Sequence, residues 1–177
     1  MHPTDEDPTQ VFEDLVHAYY RPLYQFAFSL VHGEEEASDL TQQTFYIWAR
    51  KGHALRDRSK AKTWLFTTLY REFLKSRRHR VAFPHRALDA GDNSLPDPSA
   101  STVERLDSAA VLEALATLEE IYRAPLELFY VGQHSYKEIS DILSVPIGTV
   151  QSRISRGKAQ LREALTRVGG QTMEGAR

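Results

Sequence analysis

The chain of 177 residues is long enough for one or two small domains with real cores, and its 41% hydrophobic content fits a globular protein. It has no cysteine, which excludes disulfides and thiolate metal sites, and no stretch nears the roughly 18 consecutive apolar residues of a membrane span. The net charge of −2 hides two basic blocks, +10 over residues 50–86 (twelve Lys/Arg, two acids) and +4 over 151–167 (five, one), against −8 over 1–49 (one Arg, nine acids), a layout suited to two contacts with a polyanion.

Residues 1–9 read as a mobile tail, polar and acidic rather than signal-like, so the chain is expected to be cytoplasmic with no membrane insertion. Across residues 10–31, Phe12, Leu15, Val16, Tyr19, Leu23, Phe26, Ala27 and Leu30 keep helical spacing, and Pro22 predicts a kink or break near Tyr20 and Arg21. Tyr19, Tyr20 and Tyr24 suit a core stripe better than a stacking platform. A second helix starts at Gly33 or Glu34 and runs to about Arg50. Glu34, Glu35 and Glu36 complement the positive end of its dipole. Ala37, Leu40, Thr44, Ile47 and Trp48 form its inward face, while Asp39, Gln42, Gln43 and Tyr46 lie on the other side.

Residues 51–60 read as a loop, by their glycine and alternating charge. A third helix follows over 61–80, with Trp64, Leu65, Thr68, Leu69 and Phe73 inward and Arg71, Lys75, Arg77, Arg78 and Arg80 supplying charge. Aromatics interleaved with arginines beside a basic loop suit melted nucleic acid, whose exposed bases need faces to stack on; a buried aromatic core with a solvated basic surface is the competing reading, and the better one for Trp64. His79 and His85 straddle the end of this run, where a solvated or phosphate-facing role fits. None of the seven histidines pairs at i, i+4 with a carboxylate cluster, and no metal or cofactor is expected.

Residues 81–107 carry Pro84, Gly91, Pro96 and Pro98 without periodic apolar positions, the composition of a flexible linker. The expected layout is therefore all-α: a helical domain over 10–80, the linker, a second helical domain over 108–168, and a frayed tail over 169–177. In the second domain Leu112, Leu115 and Leu118 resume helical spacing. Pro125 fits the first turn of another helix, and Gly132 its stop. Residues 135–165 then read as two helices and a tight turn. Ile139, Ile142 and Leu143 stripe the first. Pro146 ends it and suits the start of the next. In the last helix Ile147, Val150, Ile154, Leu161 and Leu165 share an arc of about 60° at about 100° per residue. Thr149, Ser152, Arg153 and Arg156 lie opposite, flanked by Gln151 and Ser155. An apolar back with a front of hydroxyls, amide and arginine suits a DNA major groove. A merely solvated amphipathic hairpin is the bland alternative.

With both basic elements placed, the chain resembles the extracytoplasmic-function class of sigma factors within the sigma-70 family. ASDLTQQTFYIWA (37–49) is similar to the family's DL-x-Q-x-TF helix, TWLFTTLYREFLKSRR (63–78) to its promoter-melting helix, and residues 135–165 to its closing helix-turn-helix, with P-x-GTV-x-SR intact. The resemblance implies that Asp39, Gln42 and Gln43 contact the β′ coiled coil of core RNA polymerase. It implies that Leu55, Arg56, Lys62, Trp64, Arg71, Lys75 and Arg78 lie near melted −10 DNA. It also implies that Thr149, Gln151, Ser152, Arg153, Ser155 and Arg156 read the −35 duplex. Partners implied are core polymerase (β′ coiled coil and β flap), promoter DNA and an anti-sigma factor. Two departures stand out: Tyr70-Arg71 replaces a common Arg-Asn, and Lys75 a common aspartate.

No catalytic constellation is evident, so a non-enzyme that lends promoter specificity to polymerase is expected. The rivals are a self-sufficient helix-turn-helix regulator that binds an operator as a dimer, and an enzyme acting on nucleic acid.

Overall fold

In a computed structural model of the protein, residues 8–82 and 114–174 are described, and the chain divides into two compact units. Among the described residues every regular element is helical, as the all-α reading requires. Most of the expected linker, His85 and Leu112 lie outside them.

The first unit is built from α1 (Pro8–Val31), α2 (Glu34–Lys51) and α3 (Ala61–Ala82), each packed on the other two. Leu23, Phe26 and Ala27 of α1 meet a core completed by Ala37, Phe45 and Trp48 of α2 and Leu65, Phe66, Leu69 and Phe73 of α3. Phe26 and Phe66 lie 5.7 Å apart between ring centroids. Thr41 and Thr44 enter this core without stranding a hydroxyl, because each donates to the carbonyl four residues back, at 2.7 and 2.8 Å.

α1 begins at Pro8, inside the expected tail, and it does not break at Pro22. A proline there forfeits one helical bond and costs about 3 kcal/mol. Leu23 and Phe26 are fully buried beside it, and burial of each is worth about 1.5–3 kcal/mol, so packing outweighs local preference. The helix ends where His32 takes a left-handed conformation, φ 59°. The tyrosines do not form a core stripe: Tyr19 and Tyr24 are half-buried and Tyr20 is exposed, stacked on Tyr24 and on Phe45 at 6.4 and 6.2 Å.

Residues 51–60 hold more order than the expected loop. Two 3₁₀ turns, Gly52–Ala54 and Arg58–Lys60, lead into α3. Asp57 caps the second, accepting from the Ser59 N–H at 3.0 Å and hydroxyl at 2.6 Å, and these bonds hold its carboxyl below the usual range. Gly52 sits under the Trp48 indole, where an added Cβ would fall 2.6 Å from two ring carbons.

The second unit holds a helical segment at 114–116, then α4 (Glu120–Tyr130), α5 (Tyr136–Leu143) and α6 (Ile147–Glu174). Pro125 is the sixth residue of α4, not in its first turn. The helix starts earlier because the Glu119 carbonyl accepts from the N–H groups of Tyr122 and Arg123, at 2.9 and 3.0 Å. Buried Ala124, Leu126 and Leu128 hold the proline in register. α4 stops near Gly132 as expected, but the left-handed residue is Gln133, φ 49°. α6 runs past Gly169 to Glu174 instead of fraying: two glycines cost only about 1 kcal/mol each in a helix, and no proline follows Pro146.

Gly52→Ala suffers no backbone penalty, since φ is −64° there, and isolates the clash with the indole. It is expected to lower stability by about 1–3 kcal/mol, read as a reduced midpoint in urea with unchanged slope.

Candidate nucleic-acid interface

The helix-turn-helix is assembled from α5, a turn and α6. Ser135 opens α5 with a capping box: its hydroxyl accepts from the Glu138 N–H (3.3 Å), and the Glu138 carboxylate accepts from the Ser135 N–H (2.8 Å). The S-x-x-E spacing at 135–138 is itself a helix-start signal legible in the sequence. His134, whose burial no spacing signals, sets its Nδ1 3.9 Å from the other Glu138 oxygen, at i, i+4. α5 is stopped by Ser144, left-handed at φ 54°, rather than by Pro146. The Ser140 hydroxyl donates to the Val145 carbonyl at 2.6 Å and braces the turn. Pro146 precedes the first helical residue, and its carbonyl accepts from the N–H groups of Thr149 and Val150.

Along α6, Val150, Ile154 and Gly157 are buried. A Cβ on Gly157 would lie 2.8 Å from Leu126 Cδ1 and 3.3 Å from Tyr122 Cβ, so the helix is seated closely on α4. Gln151, Ser152, Ser155 and Arg156 are exposed; Thr149 and Arg153 are half-buried at the flanks. The Ser152 hydroxyl donates back to the Thr149 carbonyl at 3.0 Å, which leaves its oxygen as an outward acceptor. Two expectations fail on this helix. Ile147, placed by period on the buried arc, is 48% exposed. A helix's first residue has no preceding turn to pack beside it, so period alone misplaces it. Lys158, counted in the basic block, instead sets its Nζ over the rings of Phe129 and Tyr130, at 5.2 and 5.4 Å.

In the first unit Trp64, Arg71, Lys75 and Arg78 fall within about 60° of one another on α3 at its regular period. Lys62, by the same period, lies about 180° from Arg71 and does not join them. Trp64 is half-buried, edge-on to Trp48 at 5.0 Å, while the three cations are exposed. Lys75 also reaches Glu72 at 3.4 Å, and the Arg78 Nε donates to the Leu74 carbonyl at 3.3 Å. Ahead of the helix, Leu55 is half-buried, with its N–H on the Gly52 carbonyl, and Arg56 is exposed.

Asp39, Gln42 and Gln43 are all exposed on α2, as expected. Asp39 and Gln43 line a shallow cleft of about 240 Å³ against Glu72, Phe73, Ser76 and Arg80 of α3. Arg80 closes one end through a 2.6 Å ion pair to Glu36. A second cleft, about 460 Å³, continues past Gln43 to Tyr46, Arg50 and Lys75. The polar face of α2 thus borders both clefts, facing Arg80 of α3 in one and Lys75 in the other. Among the described residues no group of three His, Cys, Asp or Glu side chains converges as a metal site would need, and no helix is long and apolar enough to cross a membrane.

Comparison with known proteins decides the family. The family model for Sigma-70 region 2 matches residues 15–82, and that for Sigma-70, region 4, matches 108–161, together more than half of the chain. The chain belongs to the sigma-70 family. Its relatives place it in the extracytoplasmic-function class. It is 30% identical to the ECF RNA polymerase sigma factor SigE of Mycolicibacterium smegmatis, over 97% of this chain and 68% of that one. It is 28% identical to the ECF RNA polymerase sigma factor SigW of Bacillus subtilis, over 87% and 88%. In structure it is similar to the sigma factor RpoE solved in complex with the anti-sigma factor NepR from Bartonella quintana, with TM-score 0.75, 29% identity, and 89% and 98% of the two chains covered.

Behind the recognition helix this sigma factor buries two charges that the sequence gives little reason to suspect, Arg123 and Glu127 on α4. The Arg123 Nη1 donates to the carbonyls of Ala116 and Leu118, at 3.2 and 2.8 Å, and ties 114–118 to α4. Burial pushes the Glu127 carboxyl up to about 7 against an opposing pull from Arg123. A raised folded-state value means that protonated Glu127 favours the folded state fully below its ordinary 4.5, and that this contribution is lost as pH rises through about 7. Glu127→Gln keeps the shape and removes the titration. Across pH 4.5–7 its melting temperature should fall less than that of the wild-type chain; parallel curves would contradict the assignment.

Proposed function

We propose that this sigma factor directs core RNA polymerase to promoters by reading the −35 element as duplex with α6 and holding opened −10 DNA on α3. The carrying observation is that α6 buries its apolar back against α4 and leaves Gln151, Ser152, Ser155 and Arg156 uncovered together. Arg156 has the donors for guanine O6 and N7, Gln151 the amide for adenine, and the serines can serve either. Thr149 and Arg153, at the flanks, suit phosphates that fix register rather than sequence.

On α3 the ridge of Arg71, Lys75 and Arg78 neutralises the backbone of the displaced strand, and Trp64 offers it an edge to stack on. Leu55 and Arg56, leading into that ridge, hold an extruded base. Lys62 acts apart from them, at most on a phosphate. The exposed carboxylate and amides of Asp39, Gln42 and Gln43 dock on the β′ coiled coil of core polymerase, and the second unit on the β flap. The protein works by binding, in the cytoplasm. An anti-sigma partner is supported by the similar RpoE, which was solved with one.

Run-off transcription with core polymerase on a promoter library tests this reading. Arg156→Ala should lose about 1–3 kcal/mol of discrimination at one G·C pair of the −35 element while leaving preference at the −10 element intact. A promoter profile unchanged from wild type would refute the contact.

A further inference from the structure

Among the described side chains of α6, Ile147 is the large apolar one left half uncovered, 48% exposed at the first residue of the helix. It stands in an i, i+4 row with Gln151 and Ser155, both exposed, about 6 Å before Gln151 along the axis. Beside it Gly148 has nothing among the described residues within 4 Å of where a Cβ would be, so the surface next to Ile147 is open there. The amino-terminal residues of a recognition helix are those that reach base edges. An isoleucine there has no donor or acceptor to offer. It can contact only the one apolar feature of the major groove, the C5-methyl of thymine. Gln151, next in the row, has the amide that pairs with adenine, so both neighbours suit A·T pairs.

We propose that Ile147 is a specificity-determining residue of this sigma factor, packing on a thymine 5-methyl group in the −35 element beside the base pair read by Gln151. The proposal rests on the duplex-reading role assigned to α6 above. Deleting the methyl without touching the hydrogen-bonding edge isolates the contact. Each thymine of a selected −35 element, on either strand, is replaced in turn by deoxyuridine, and run-off transcription by the holoenzyme is measured.

Wild type should lose about fourfold at one substituted position, the worth of one buried methyl. Ile147→Ala should start lower on the thymine template and be indifferent to deoxyuridine there, and Ile147→Val should keep part of the dependence. Ile147 is exposed, and circular dichroism melts of the variants should match wild type. If no thymine methyl matters to wild type, or Ile147→Ala keeps the full dependence, the contact is overturned while initiation by wild type still upholds the duplex-reading role. Failure of wild type to initiate from any promoter overturns both.

Discussion

The close seating of α6 on α4 is the contact on which the second unit depends. A helix can offer a polar front to a groove only if its back is held, and hydroxyl, amide and guanidinium side chains cannot supply that hold themselves. Here Gly157 removes the side chain that would separate the helices, Leu126 and Tyr122 fill the space, and Val150 and Ile154 complete the buried row. The turn adds direction. A left-handed Ser144 and the Ser140 hydroxyl on the Val145 carbonyl set where α6 begins. Polar side chains on the outer face are then carried by a held helix, so a contact made there need not meet the entropy of ordering a loop.

The first unit meets an opposite demand with one helix. α3 must pack and also carry a high positive charge. It buries Leu65, Phe66, Leu69 and Phe73 and turns Arg71, Lys75 and Arg78 outward. Cations this close repel one another, so several are tethered: Lys75 by Glu72, Arg77 over the Phe73 ring at 5.7 Å, Arg80 by Glu36. Exposed pairs of this kind add little stability. They hold the cations in place on the surface, and any phosphate contacts made there would weaken steeply with salt. Two units in one chain let a first contact with a long polyanion raise the effective concentration of the second.

Buried charge in the second unit runs against this economy. Arg123 and Glu127 lie within the core of a small domain, where desolvation penalises both ionised forms. Arg123 is useful because two backbone carbonyls at 116 and 118 need a donor, and its guanidinium reaches both.

Amino-acid spacing alone determined the helices, their apolar faces, the polar face of α2, the basic face of α3 and the polar front of α6. Each is a local property, because side chains three and four apart share a helix face whatever surrounds it. Those motifs also carried the family. What local spacing cannot register is whether a neighbour covers a face and what a distant carbonyl lacks. So only the tertiary structure decided that α1 continues through Pro22, that Pro125 sits inside α4, that Lys158 turns to Phe129 and Tyr130, that Arg123 and Glu127 are buried, and that Ile147 is open. In each case packing free energy between elements exceeded, or was simply invisible to, the preference written along one helix.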